Sequence, residues 1–120
     1  MATGTIKKGR KLLWSNSNNT LAANTQVSLS SSDYSFLIVE FRLTWADPVE
    51  VNIFTKGTDI RLYFANTSPS QLSDCLIAGR DLTRTSDTVF TAGTGVIARL
   101  TGNIVTGDNF VYPVAIYGID

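Results

Sequence analysis

Two pairs of carboxylates lie close enough in sequence to be weighed for acid–base chemistry, Asp47 with Glu50 and Asp81 with Asp87. Such a pair serves glycoside hydrolysis when one member protonates the leaving oxygen and the other activates water or attacks the sugar. Each pair sits by a turn signal, where a carboxylate is ordinarily a local hydrogen-bond acceptor, so no catalytic residue is assigned. The chain has no histidine and one cysteine, so the common nucleophilic triads and zinc sites cannot be assembled from it. Cys75 lies in the apolar string Cys75-Leu76-Ile77-Ala78 and reads as a small core residue, unable to form an internal disulfide. That is consistent with synthesis in a reducing cytosol. Gly93-Thr94-Gly95 is too short for a phosphate loop, and Lys56-Gly57-Thr58 has such residues in the wrong order. No calcium-loop spacing of acidic residues occurs. No metal or cofactor is expected.

What remains is a surface rich in Ser, Thr and Asn with scattered aromatics and arginines. Aromatic rings stack on the apolar faces of pyranoses, while Asp, Asn and Arg side chains hydrogen-bond the hydroxyls. Trp45, Asp47, Arg61 and Tyr63 are the candidate ligand-binding residues on this reading. Trp45 also continues an inward-facing series, which equally makes it a residue at the rim of the core.

These residues depend on strands to position them. In SFLIVEFRLT, residues 35–44, alternation puts Leu37, Val39, Phe41 and Leu43 on one face, continuing to Trp45, and Phe36, Ile38, Glu40, Arg42 and Thr44 on the other. The first face belongs against a second sheet. Phe36 and Ile38 need a cover on the other face, either a folded-back arm or a neighbouring subunit. Ala46-Asp47-Pro48 ends the strand. Val49, Val51 and Ile53 then alternate with Glu50, Asn52 and Phe54. After a turn at Lys56-Gly57-Thr58, Ile60, Leu62 and Phe64 repeat the pattern, with Asp59, Arg61 and Tyr63 outward. Together the three segments predict an antiparallel meander.

Elsewhere, Leu12-Leu13-Trp14 predicts a short first strand, and residues 15–24 a polar loop plugged by Leu21. Residues 25–29 predict a strand with Val27 and Leu29 inward. Ser68-Pro69-Ser70-Gln71 predicts one helical turn ending near Ser73. Gly79 suggests a bulge in a long strand. Residues 88–91, 96–101 and 110–119 complete the count, with 102–109 a loop, and the last strand is apolar on both faces. Eight or nine short strands predict an all-β fold, a single antiparallel β-sandwich of jelly-roll type. The paired cysteines of an immunoglobulin domain are missing.

With 120 residues, the chain is one domain that buries roughly two-thirds of its unfolded surface. Residues 1–11 read as a flexible basic arm and residues 12–120 as the sandwich domain. The net charge is zero, but Lys7, Lys8, Arg10 and Lys11 place four charges in the arm, leaving six basic and ten acidic residues behind. The arm is a candidate anchor to a larger assembly, and the mildly acidic body makes a nucleic-acid partner unexpected. No apolar run approaches the ~20 residues of a membrane helix, and the basic start followed by a polar tract does not read as a secretory signal.

The order KKGRKLLW, TQVSLSSSDYSFLIVEF, RDLTRTSDTVFTAGTG and YPVAIYGID, spanning nearly the whole chain, resembles the small β-sandwich domains of tailed bacteriophages. Those domains occur as short separate proteins or at the ends of tail fibres and baseplate receptor-binding proteins. The resemblance implies a non-enzymatic virion protein made in the host bacterial cytoplasm. Such proteins are often homotrimers that attach to host-surface glycans or decorate and join parts of the particle. The shared residues are core and turn positions, so the resemblance assigns no binding residue. A homo-oligomer, with a trimer favoured, is expected to use Phe36 and Ile38 at its interface.

Overall fold

A computed structural model describes residues 9–65, 75–99 and 101–120. Among the described residues the chain forms no helix and ten strands: β1 (Lys11–Ser15), β2 (Gln26–Ser28), β3 (Phe36–Arg42), β4 (Glu50–Thr55), β5 (Ile60–Ala65), β6 (Cys75–Arg84), β7 (Val89–Ala92), β8 (Gly95–Arg99), β9 (Ile104–Gly107) and β10 (Tyr112–Ile119). They make two antiparallel sheets. One has the order β1-β10-β3-β4; the other runs β2-β7-β6-β8-β9, with β5 on the opposite edge of β6. The expected all-β sandwich is what the chain forms.

Alternation makes the core. Leu37, Val39 and Phe41 of β3 are buried and meet Val27, Ile60, Leu62, Leu82, Phe90 and Ile97 of the facing sheet. Leu21 plugs one end as expected. Each such side chain contributes about 1.5–3 kcal/mol by leaving water.

The expected meander survives only as the β3–β4 hairpin, because β5 joins the other sheet. The two edges still touch, with the Tyr63 amide donating to Asn52 Oδ1 at 3.2 Å. The hairpin register pairs Val39 with Asn52 and Ile38 with Ile53. Directly opposed residues share a face, so Asn52 and Phe54 turn inward and Val51 and Ile53 turn to solvent, against the apolar pattern of β4. Strand β9 lies inside a segment read as loop, where Gly102 and Asp108-Asn109 crowd a four-residue strand. It raises the count above the eight or nine expected. The last strand begins at Tyr112 rather than Phe110 because Val111, at φ 51, breaks the extended run. The helical turn expected at 68–73 and the burial expected of the Cys75 side chain fall outside what is described.

Strand β6 is irregular as expected, but at Leu76 rather than Gly79, since Cys75 pairs with Arg99 and Ile77 with Ala98; a second irregularity lies on the strand opposite. Leu82 pairs with Ala92 and Gly79 with Val96, so residues 93–95 stand against only Arg80 and Asp81. Into this irregularity points Arg80, 2% exposed. Its Nε donates to Gly93 O at 2.8 Å, and its Nη1 to Asp108 O at 3.1 Å and Phe110 O at 3.4 Å. Its Nη2 donates to Leu21 O. A guanidinium is one of the few side chains with enough donors to serve four carbonyls at once. Burial pulls its pKa below the ordinary arginine value, and the nearby Asp108 charge opposes that shift. Gly95 belongs to the same knot, since Phe110 O occupies the space a Cβ would need.

Arg80→Met should strip the Leu21, Gly93 and Phe110 carbonyls of their guanidinium donor, while Asp108 O keeps the Leu21 amide, and lower stability by about 3 kcal/mol or more; urea unfolding followed by circular dichroism measures it. A second expectation concerns alkaline pH. Burial first, reinforced by Asp87 at Tyr34, raises the phenol pKa values of Tyr34 and Tyr112 above 10.0. A raised folded-state pKa gives stability that is complete below the unfolded value and lost as pH climbs through the folded one. Stability should therefore fall above about pH 10, and the fall should be smaller in Tyr34→Phe.

Candidate functional site

The outward face of β5, β6 and β8 forms an open groove of about 340 Å³. The register fixes its floor and walls. Tyr63 opposes Gly79, which opposes Val96 on its other side, so one row of the sheet reads tyrosine, glycine, valine. With no side chain at Gly79, the Tyr63 ring leans into the gap, its Cδ1 and Cε1 lying 3.5 Å from where a Cβ would sit. Leu62 O stands 3.2 Å from the same point, so a branched side chain there would fill the floor. Ile77 and Ala98 line one end; Asp81, Gly93 and Thr94 line the other.

The knot around Arg80 holds that polar end. Gly93 accepts from Arg80 and donates its amide to the Asp81 backbone carbonyl at 2.8 Å, tying the segment that carries Thr94 to β6 where Asp81 and Thr94 line the groove. Arg61 opposes Asp81 across the β5–β6 ladder, on the same face. Its guanidinium is largely exposed and 4.0 Å from Asp59 Oδ2. The site thus offers a half-exposed aromatic face, a carboxylate, a hydroxyl and a nearby guanidinium over an apolar floor.

Of the four sequence candidates, the structure unites Tyr63 and Arg61 on this face and separates the other two. Asp47, 4% exposed, is a structural residue of the turn after β3 rather than a ligand group. Thr44 Oγ1 donates to its Oδ2 at 2.6 Å, its amide donates to Thr44 O, and Arg42 Nη1 donates to its carbonyl at 2.8 Å. Trp45 leaves the inward series because β3 ends at Arg42 and period-two alternation stops at the turn; its ring is 63% exposed, away from the groove lining. The carboxylate pairs do not share the groove either: Asp81 lines it, whereas Asp87 is held by Arg84 at 2.7 Å, which lowers the Asp87 pKa. Among the described residues no three His, Cys, Asp or Glu side chains gather as a metal site would require.

The arm is shorter than expected. Lys11 already pairs with Gly118 in β1, and Arg10 lies 4.1 Å over the Tyr117 ring and 3.6 Å from Glu40. A second cavity, about 390 Å³, lies between Gly9, Arg10, Lys11, Asp33 and the last residues of the chain. Lys7 and Lys8 fall outside the described residues. Phe36 is 42% exposed and Ile38 half-buried, both on the outward face of β3.

Gly79, Thr94 and Val96 were not singled out by sequence as site residues. Their signal is the placement of outward positions by a register that only long-range pairing sets. No family model matches the chain, and no curated protein or solved structure is significantly similar to it.

If Asp47 is structural, Asp47→Ala should cost about 1–3 kcal/mol by orphaning the buried Thr44 hydroxyl. Trp45→Ala, at an exposed turn, should change stability by less than about 0.5 kcal/mol. Paired thermal melts check the contrast.

Proposed function

We propose that this protein is a non-catalytic carbohydrate-binding β-sandwich, a host-surface adhesion module of a bacteriophage tail or fibre. The observation that carries the carbohydrate reading is the groove in which Tyr63 leans over Gly79 beside Asp81 and Thr94. A pyranose has one apolar face suited to the tyrosine ring and equatorial hydroxyls suited to the carboxylate and the threonine. The open shape favours a chain of sugars lying along the sheet over a small molecule enclosed by the protein. Support for the virion setting is the resemblance of the chain to small tailed-phage sandwich domains.

A purely structural virion component is the second reading. It is favoured by the uncovered apolar side chains on the other sheet, and Lys7 and Lys8 are its candidate docking residues. Binding to purified bacterial surface polysaccharides, measured by glycan array and calorimetry, separates the two. On the first reading the wild type binds, and Tyr63→Ala and Asp81→Ala each weaken binding about tenfold, the equivalent of ~1.4 kcal/mol, without lowering the melting temperature. Absence of binding to every surface polysaccharide offered overturns it in favour of the second.

A further inference from the structure

The two ends of the groove differ in chemistry, and the registers set them apart. Its middle row of outward positions is Tyr63, Gly79 and Val96; on one side of that row Ile77 opposes Ala98, and Ile104 of β9 extends the apolar surface. On the other side stand Asp81 and, on the bulged strand opposite, Thr94. Tyr63, Ile77 and Val96 are all exposed, so the apolar end faces solvent.

That end has no hydrogen bond to offer among the described residues that line it. Strand β6 is paired on both sides there, Gly79 with Tyr63 and Val96, and Ile77 with Ala65 and Ala98, so the ladders use its backbone amides and carbonyls. Ile77, Val96 and Ala98 carry neither donor nor acceptor. Tyr63 turns ring carbons, Cδ1 and Cε1, toward the gap above Gly79. Side-chain hydrogen bonding is left to Asp81 and Thr94 at the opposite end.

We infer, resting on the carbohydrate reading of this groove, that the sugar it selects is a 6-deoxyhexose. The methyl group seats over Gly79 between the Tyr63 ring and Val96, and ring hydroxyls at the far rim meet Asp81 and Thr94. Such a sugar carries its methyl directly on the ring, with neighbouring hydroxyls across from it. The parent hexose ends in CH2OH, which must either turn away and leave the gap unfilled or press a hydroxyl against a wall without partners. An N-acetyl group also ends in a methyl, but its amide would lie unpaired along the same wall. The length fits as well. Gly79 and Asp81 are two residues apart on β6, about 7 Å, which one pyranose with its substituents spans.

NMR titration of the full chain with methyl glycosides tests the inference. Rhamnoside is compared with mannoside and fucoside with galactoside, each pair differing only in the methyl that replaces CH2OH, and N-acetylglucosaminide is the third arm. In at least one pair the 6-deoxy member should bind about tenfold more tightly, the low end of what a methyl-sized difference gives in an apolar pocket. Its largest amide shifts should fall at Gly79 and Val96. Gly79→Ala fills the gap, and Val96→Thr puts a hydroxyl beside it at nearly constant volume; each should erase most of the preference. Threonine suits an exposed strand position, so the second variant guards against a folding defect in the first. Equal binding within both pairs, tighter binding of N-acetylglucosaminide, or a preference that survives both substitutions overturns the inference. If surface polysaccharide still binds while the monosaccharides show no preference or do not bind, only the 6-deoxyhexose assignment falls; if no sugar binds, the carbohydrate reading falls with it.

Discussion

One buried guanidinium holds together the irregular parts of this sandwich. Regular strands satisfy their own backbone groups, but the 15–24 loop, the bulge at Gly93 and the 108–110 loop meet where no ladder can serve them. Arg80 reaches all three through the carbonyls of Leu21, Gly93, Asp108 and Phe110. Burying a charge without a carboxylate in contact is costly unless its donors are well used. Here four acceptors stand around five N–H groups. The same knot closes the end of the core, pins the β7–β8 bend and ties the segment that carries Thr94 to β6. The inward side of β6 thus sets the geometry of its outward side.

The two sheets expose different surfaces. The β5–β6–β8 face is a groove with one aromatic ring, a glycine floor and a polar end. The β1-β10-β3-β4 face is an apolar row, half closed by Arg10. A module that binds repeating surface sugars weakly at each groove gains from carrying several grooves at once, since linked sites act at high effective concentration.

Much of the fold was legible in the sequence, because alternation is a local signal. Leu37, Val39 and Phe41 are buried as read, as are Val27, Leu29, Ile60 and Leu62, and Tyr63 and Arg61 face outward. Pairing was less legible. β4 alternates in the opposite sense to its apolar pattern because a long-range register, not its own composition, decides which face is inside. β5 left the predicted meander for the other sheet, a choice no local pattern encodes. Trp45 and Asp47 were misplaced for one reason: the strand ends at Arg42, three residues before the tryptophan, and the turn that follows uses the aspartate to bond Thr44. The groove joins β5, β6 and β8 across long sequence separations, so only its outward residues, not their convergence, could be read in advance.

The most direct test of the central claim is a backbone amide NMR titration of the full chain with oligosaccharides released from bacterial surface polysaccharide. If the groove is the site, shifts concentrate at Tyr63, Gly79, Asp81, Thr94 and Val96, while Trp45, Asp47 and the β4 edge stay still. Saturable shifts confined to the turn at Trp45 or to the β4 edge, or none at millimolar sugar, would contradict it.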